Sequence, residues 1–88
     1  MNNNNYKIIN LAVEILQKNE SLEFYEIFDY VKKHLFSIWS EDEKVRTNSE
    51  TNALIEKKMG ELYKLLTVDR HFIKNNDGTW TLNKHAVK

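Results

Sequence analysis

The side chains able to do chemistry in this 88-residue chain are few and poorly grouped. The three histidines are His34, His71 and His85. None stands at i, i+4 from another, and no HExxH or zinc-type spacing occurs. Glu41, Asp42 and Glu43 are adjacent carboxylates, but consecutive positions of a helix or loop do not face one another. They read as a solvated charge run rather than a metal site or an acid–base pair. The chain has no cysteine, hence no disulfide framework, thiol nucleophile or thiolate metal site. Its two glycines, Gly60 and Gly78, cannot build a phosphate-binding loop, and no GxSxG is present. No catalytic residue, cofactor or metal ligand is assigned, and a non-catalytic role is expected.

Binding chemistry offers more. Lys57, Lys58, Lys64 and Lys74 are the candidate phosphate contacts if the partner is nucleic acid. The formal net charge is zero, from thirteen basic and thirteen acidic side chains. Counterion release rewards clustered cations, and Glu61 sits among the lysines of the same helix. Nucleic-acid contact is therefore expected to be weak or indirect. For a protein partner the candidates are Tyr25, Tyr30, Trp39 and Arg70, together with the connector at residues 40–48. Interfaces favour Tyr, Trp and Arg and do not require net charge.

These residues must be positioned by a single small domain, expected over residues 6–83. Residues 1–5 (Met1 and four asparagines) read as a disordered tail and not as a signal peptide. Residues 84–88 read as a frayed end. No apolar run approaches the ~20 residues that a membrane span needs. The first helix is predicted over 6–18, where Ile8, Ile9, Ala12, Val13, Ile15 and Leu16 fall in one arc. The second is predicted over 24–39, with Phe24, Ile27, Phe28, Val31, Leu35, Ile38 and Trp39 on one face. Tyr25, Tyr30 and Phe36 lie off that face. Residues 40–48 read as an exposed connector with room for one helical turn, carrying two capping-box patterns, Ser40-x-x-Glu43 and Thr47-x-x-Glu50. The third helix is predicted over 49–67, with Ile55, Met59, Leu62, Tyr63 and Leu66 inward and Lys57, Gly60, Glu61 and Lys64 outward.

The end of the chain carries the sharpest local signal. Asn76-Asp77-Gly78 lies between two short β-prone runs, and Asp-Gly there marks a hairpin because Gly takes positive φ at little cost. Strands are expected over 71–75 and 79–83, with Phe72, Trp80 and Leu82 covering the helices. A short strand at 22–24 is expected to join them. The fold class is therefore α+β and mostly helical: a winged helix-turn-helix of three helices and a small antiparallel sheet that includes a C-terminal β-hairpin wing.

The order and spacing resemble the N-terminal domain of the delta subunit of bacterial RNA polymerase, a form of the HARE-HTH winged helix. The residues that carry the resemblance are Phe24 with Ile27, then Leu62-Tyr63 and Leu66, then Val68-Asp69-Arg70-His71-Phe72, then Asp77-Gly78-Thr79-Trp80-Thr81-Leu82. Arg70 and His71 stand in the opposite order to the family's spacer and Arg. The resemblance implies a non-catalytic, cytoplasmic accessory subunit whose folded domain docks on core RNA polymerase to modulate transcription and polymerase recycling. In the family a long acidic tail follows this domain, which would begin here after Lys88. A monomer with no membrane partner is expected. The alternatives left open are a DNA-binding winged-helix regulator and another protein-interaction module.

Overall fold

The computed structural model describes residues 3–83, and its elements are α1 (Asn3–Lys18), α2 (Phe24–Glu43), α3 (Asn48–Val68), β1 (Phe72–Lys74) and β2 (Trp80–Leu82). The strands pair antiparallel with Phe72 opposite Leu82 and Lys74 opposite Trp80. Leu22 adds a single antiparallel bridge on the other side of Trp80. This is the winged-helix order, and the sheet runs Leu22, β2, β1. Phe24 opens α2, where the helical period predicts the second helix to begin, and the short strand expected over 22–24 is reduced to the Leu22 bridge. The helix starts there because Glu26 reaches back to accept the Glu23 backbone N–H at 2.9 Å.

α1 begins at Asn3, so residues 3–5 are helical rather than part of a disordered tail. Ile8, Ala12 and Leu16 are its buried stripe. Ile27, Phe28, Val31, Leu35 and Trp39 are the buried face of α2, as the periodicity predicts. α2 then runs one turn past Trp39 to Glu43, through residues predicted to form the exposed connector. Ser40 lies inside this helix and its hydroxyl donates to the Ser37 carbonyl, so it caps nothing. The helix closes at Lys44, whose φ of 55° is left-handed. Lys44 N–H donates to Glu41 O at 3.2 Å and Val45 N–H to Ser40 O at 3.0 Å, the Schellman pattern.

The connector is thus only residues 44–47, and it is rigidly bonded. Thr47 caps α3: its Oγ1 accepts from Glu50 N, while Glu50 Oε1 accepts from both Arg46 N and Thr47 N. These backbone donors hold the Glu50 carboxyl below the ordinary carboxylate value. α3 is rolled relative to its predicted face. Its buried residues are Leu54, Lys58, Leu62 and Leu66, whereas Ile55 and Met59 are only partly buried and Tyr63 is 47% exposed.

The wing is held by side chains as much as by its ladder. Asn75 N–H donates to Thr79 O and Gly78 N–H to Asn75 O, with Gly78 at φ 90°. That is a three-residue loop with glycine at its positive-φ position. Asp77 Oδ1 accepts from the Thr79 backbone and hydroxyl, which lowers the Asp77 pKa. Asn75 Nδ2 donates to the Thr79 and Thr81 hydroxyls at 3.0 and 2.7 Å. At the base, Asp69 accepts from the His71 backbone at 2.8 Å and lies against its ring Nδ1, which turns the chain from α3 into β1. Trp80 is 3% exposed and locks the sheet, exchanging two backbone hydrogen bonds with Leu22.

Candidate functional site: an aromatic strip flanked by lysines

Three side chains from two helices make a row at the surface. Phe24, the first residue of α2, has its ring centroid 5.5 Å from that of Tyr25 and 5.8 Å from that of Tyr63 on α3. Both pairs are edge-to-face, at 74°. Tyr63 in turn stands edge-on to Trp80 at 6.2 Å, and Lys74 of the wing places its ammonium 5.8 Å from the Tyr63 ring centroid. Tyr25 is 64% exposed and Tyr63 47%, while Phe24 is partly buried between them. Rigid aromatic rings held by their neighbours make effective contact area because little side-chain entropy is lost on binding.

The strip takes its shape from how the elements meet. The N-terminus of α2 is anchored by the Leu22–Trp80 bridge, so Phe24 and Tyr25 emerge beside the sheet. The roll of α3 turns Tyr63 outward while Leu62 and Leu66 enter the core. Lys74 lies on the face of β1 that also carries Phe72, and its stem follows that face to Tyr63.

The charges around the strip are unevenly engaged. Lys58 donates to Glu61 at 3.3 Å, and Asp69 is taken up by His71. Asp77 is taken up by Thr79, and Glu26 by the Glu23 backbone. Lys64, Arg70 and Lys74 form no ion pair among the described residues.

Of the four surface residues predicted for a protein partner, Tyr25 and Arg70 are exposed. Tyr30 is half-buried against His34, with ring centroids 4.6 Å apart. Burial, and then its hydrogen bond to Glu14, raises the Tyr30 phenol above its ordinary value. Trp39 is not a surface residue. It is 1% exposed, stacks on Phe28 at 6.3 Å, and its indole N–H meets no acceptor among the described residues. α2 continues past it, so its ring turns inward onto Lys58 rather than out at a helix end.

The predicted phosphate contacts divide in the same way. Lys58 is 4% exposed, with its ammonium 5.4 Å from the Trp39 ring centroid, and cannot meet a phosphate. Its long apolar stem fits a core position and its head finds both a π-face and Glu61. Lys57 pairs with Glu43 at 3.2 Å. Lys64 and Lys74 remain at the surface. The sequence pattern assigned Tyr63 inward and gave Phe24 to the core, so two of the three strip residues escaped it. The Phe24-Tyr25 pair at a helix start was the available signal.

Among the described residues, no group of three or more His, Asp or Glu stands close enough to hold a metal ion. None of the described helices is long and apolar enough to cross a membrane. His85 and Lys88 lie outside the described residues. No family model matches the chain, and neither a curated protein nor a solved structure matches it.

Proposed function

We propose that this domain is a non-catalytic accessory module of bacterial transcription, similar to the delta subunit, that docks as a monomer on core RNA polymerase in the cytoplasm and modulates its activity and recycling. The observation that carries the choice of a protein partner over DNA is the fate of the α3 lysines. A winged helix that reads DNA presents its third helix to the major groove. Here that helix buries Lys58, ties Lys57 to Glu43, and leaves Lys64 as its one lysine without an ion pair among the described residues. Too few cations are left for a substantial release of counterions from a duplex. The surface instead offers exposed tyrosines of the kind that anchor protein interfaces.

The test is a titration of the domain against its own core polymerase and, separately, against duplex DNA at physiological salt. Saturable binding to polymerase with weak DNA binding is the expected result. Tight binding to DNA with none to polymerase would overturn the proposal in favour of a DNA-binding regulator.

A further inference from the structure

The wing loop holds chemistry that the docking role does not use. Asp77-Gly78 is the one place in the chain where an aspartate precedes glycine; Asp29, Asp42 and Asp69 precede Tyr30, Glu43 and Arg70. A peptide nitrogen attacks the carboxyl carbon of the aspartate before it most easily when its own residue has no side chain in the way. We infer that Asp77-Gly78 is an isoaspartate-forming site that the hairpin loop holds shut, so that its modification records opening of the wing. This goes beyond the docking proposal and does not depend on it.

The reaction needs no co-reactant but water. The Gly78 nitrogen bonds to Asp77 Cγ as the Cγ–OH bond breaks. The amide proton and the hydroxyl leave as water, and a succinimide ring remains. Water then adds to the ring carbonyl that was the Asp77 backbone carbonyl, and the bond from that carbon to the Gly78 nitrogen breaks. The chain now runs through Asp77 Cβ and Cγ, one carbon longer, and the former backbone carbonyl is a free carboxylate. Nothing is oxidised or reduced.

Crowding does not guard this site. Asp77 and Gly78 are both exposed, and nothing lies within 4 Å of a Cβ built on Gly78. The guard is hydrogen bonding. Asp77 Oδ1 accepts from the Thr79 backbone N–H at 3.0 Å and from the Thr79 hydroxyl at 2.7 Å. Both bonds draw the carboxyl toward Thr79, one residue past the nitrogen it must meet. Gly78 N–H donates to Asn75 O at 3.0 Å, so the nucleophile is committed to the turn. Asn75 braces Thr79 from the other strand, through its backbone N–H to Thr79 O and its side-chain amide to the Thr79 hydroxyl. The Thr79 contacts also keep the Asp77 carboxyl below its ordinary pKa, and the neutral acid is the form that gives up its hydroxyl. Ring closure therefore waits for the loop to open locally. The lengthened product no longer matches the three-residue loop that sets Asn75 against Thr79, whereas Trp80 is held separately by Leu22. Modification loosens the wing tip and leaves the base of the sheet in place.

The experiment incubates the domain in heavy-oxygen water at one neutral pH, folded in buffer and unfolded in urea. Each ring opening puts a heavy oxygen on residue 77. Mass spectrometry of the tryptic peptide spanning residues 75–84 locates that label, and chromatography separates the isoaspartyl form. Labelling of the unfolded chain is expected to be at least about tenfold faster, since freeing the carboxyl and the nitrogen breaks several hydrogen bonds, each of ordinary net strength worth a factor of about five. Thr79→Val keeps the side-chain shape and deletes the hydroxyl, so it should speed labelling of the folded domain about fivefold. Thr79→Ser restores the hydroxyl and should stay near the wild-type rate. Three results each overturn the inference: equal labelling of the folded and unfolded chains, no isoaspartate at residue 77 in the unfolded chain, or a folded Thr79→Val domain that labels at the wild-type rate. If Thr79→Val loses its folded spectrum, the comparison of folded and unfolded wild type decides alone.

Discussion

Removing Glu61 should damage this domain more than removing the lysine it serves. Lys58 is 4% exposed and its ammonium lies 3.3 Å from Glu61 Oε1, whose side chain is 30% exposed. At that separation the attraction is about 5 kcal/mol before desolvation, for an effective dielectric near 20. Breaking a fully buried pair from one side costs about 3–5 kcal/mol, because the surviving charge is left unpaired. Water reaches Glu61 and the Trp39 face still holds the ammonium, so Glu61→Ala is expected to cost about 2 kcal/mol. In a domain of this size that lowers Tm by roughly 10 °C. Lys58→Met keeps the stem against Trp39 and deletes the charge, so it should fall within about 1 kcal/mol of wild type. In that background Glu61→Ala should be nearly silent, leaving a coupling energy of about 2 kcal/mol in the double-mutant cycle. Urea melts followed by tryptophan fluorescence and far-UV circular dichroism give all four stabilities. A cost for Lys58→Met equal to or above that for Glu61→Ala would refute the reasoning. The lysine would then act through packing or through the ring alone.

Other perturbations follow from the same geometry. Gly60 sits inside α3 with nothing within 4 Å of a built Cβ, so Gly60→Ala should raise stability by about 1 kcal/mol in thermal melts. Trp80→Ala should cost about 3–5 kcal/mol, whereas Tyr63→Ser, at 47% exposure, should cost far less in the same denaturant assay. Glu50 and Asp77 have depressed pKa values, through backbone donors in the first case and Thr79 in the second. A carboxyl depressed by folding contributes stability above its unfolded pKa and loses it as pH falls through the folded value. Melts should therefore show stability falling from about pH 4 downward, and Glu50→Gln should flatten that slope by lowering the plateau at neutral pH while leaving the acid end little changed.

Much of this fold is legible in the sequence because its apolar residues keep their periods. Ile8, Ala12 and Leu16 announce α1, and Ile27, Phe28, Val31, Leu35 and Trp39 announce α2. Asp77-Gly78 marks the wing. What escaped has identifiable causes. Residues 40–43 form a polar turn of helix that exposes most of its side chains, so hydrophobic period cannot reveal it. Its end falls at a lysine in the left-handed conformation rather than at glycine, so the usual stop signal is missing as well. In α3 a lysine occupies a core position. A pattern that excludes charged residues from the core then turns toward Ile55, Met59 and Tyr63, when the buried row is Leu54, Lys58, Leu62 and Leu66. Glu61 at i+3 was the trace of that exchange. The strip was hidden for the same reason, since Tyr63 is turned outward by the roll of α3.

The residues that carry the family resemblance have structural work in this chain, and that bears on where specificity lies. Asp69 turns α3 into β1, Asp77 and Thr79 close the wing loop, and Thr81 receives Asn75. Trp80 and Phe72 are core. Each would be required of any chain that folds this wing, whatever the wing then binds. The surface that distinguishes one such domain from another must be sought in positions the fold leaves free. Here those are Tyr25, Lys64, Arg70 and Lys74, together with the exposed side of Tyr63.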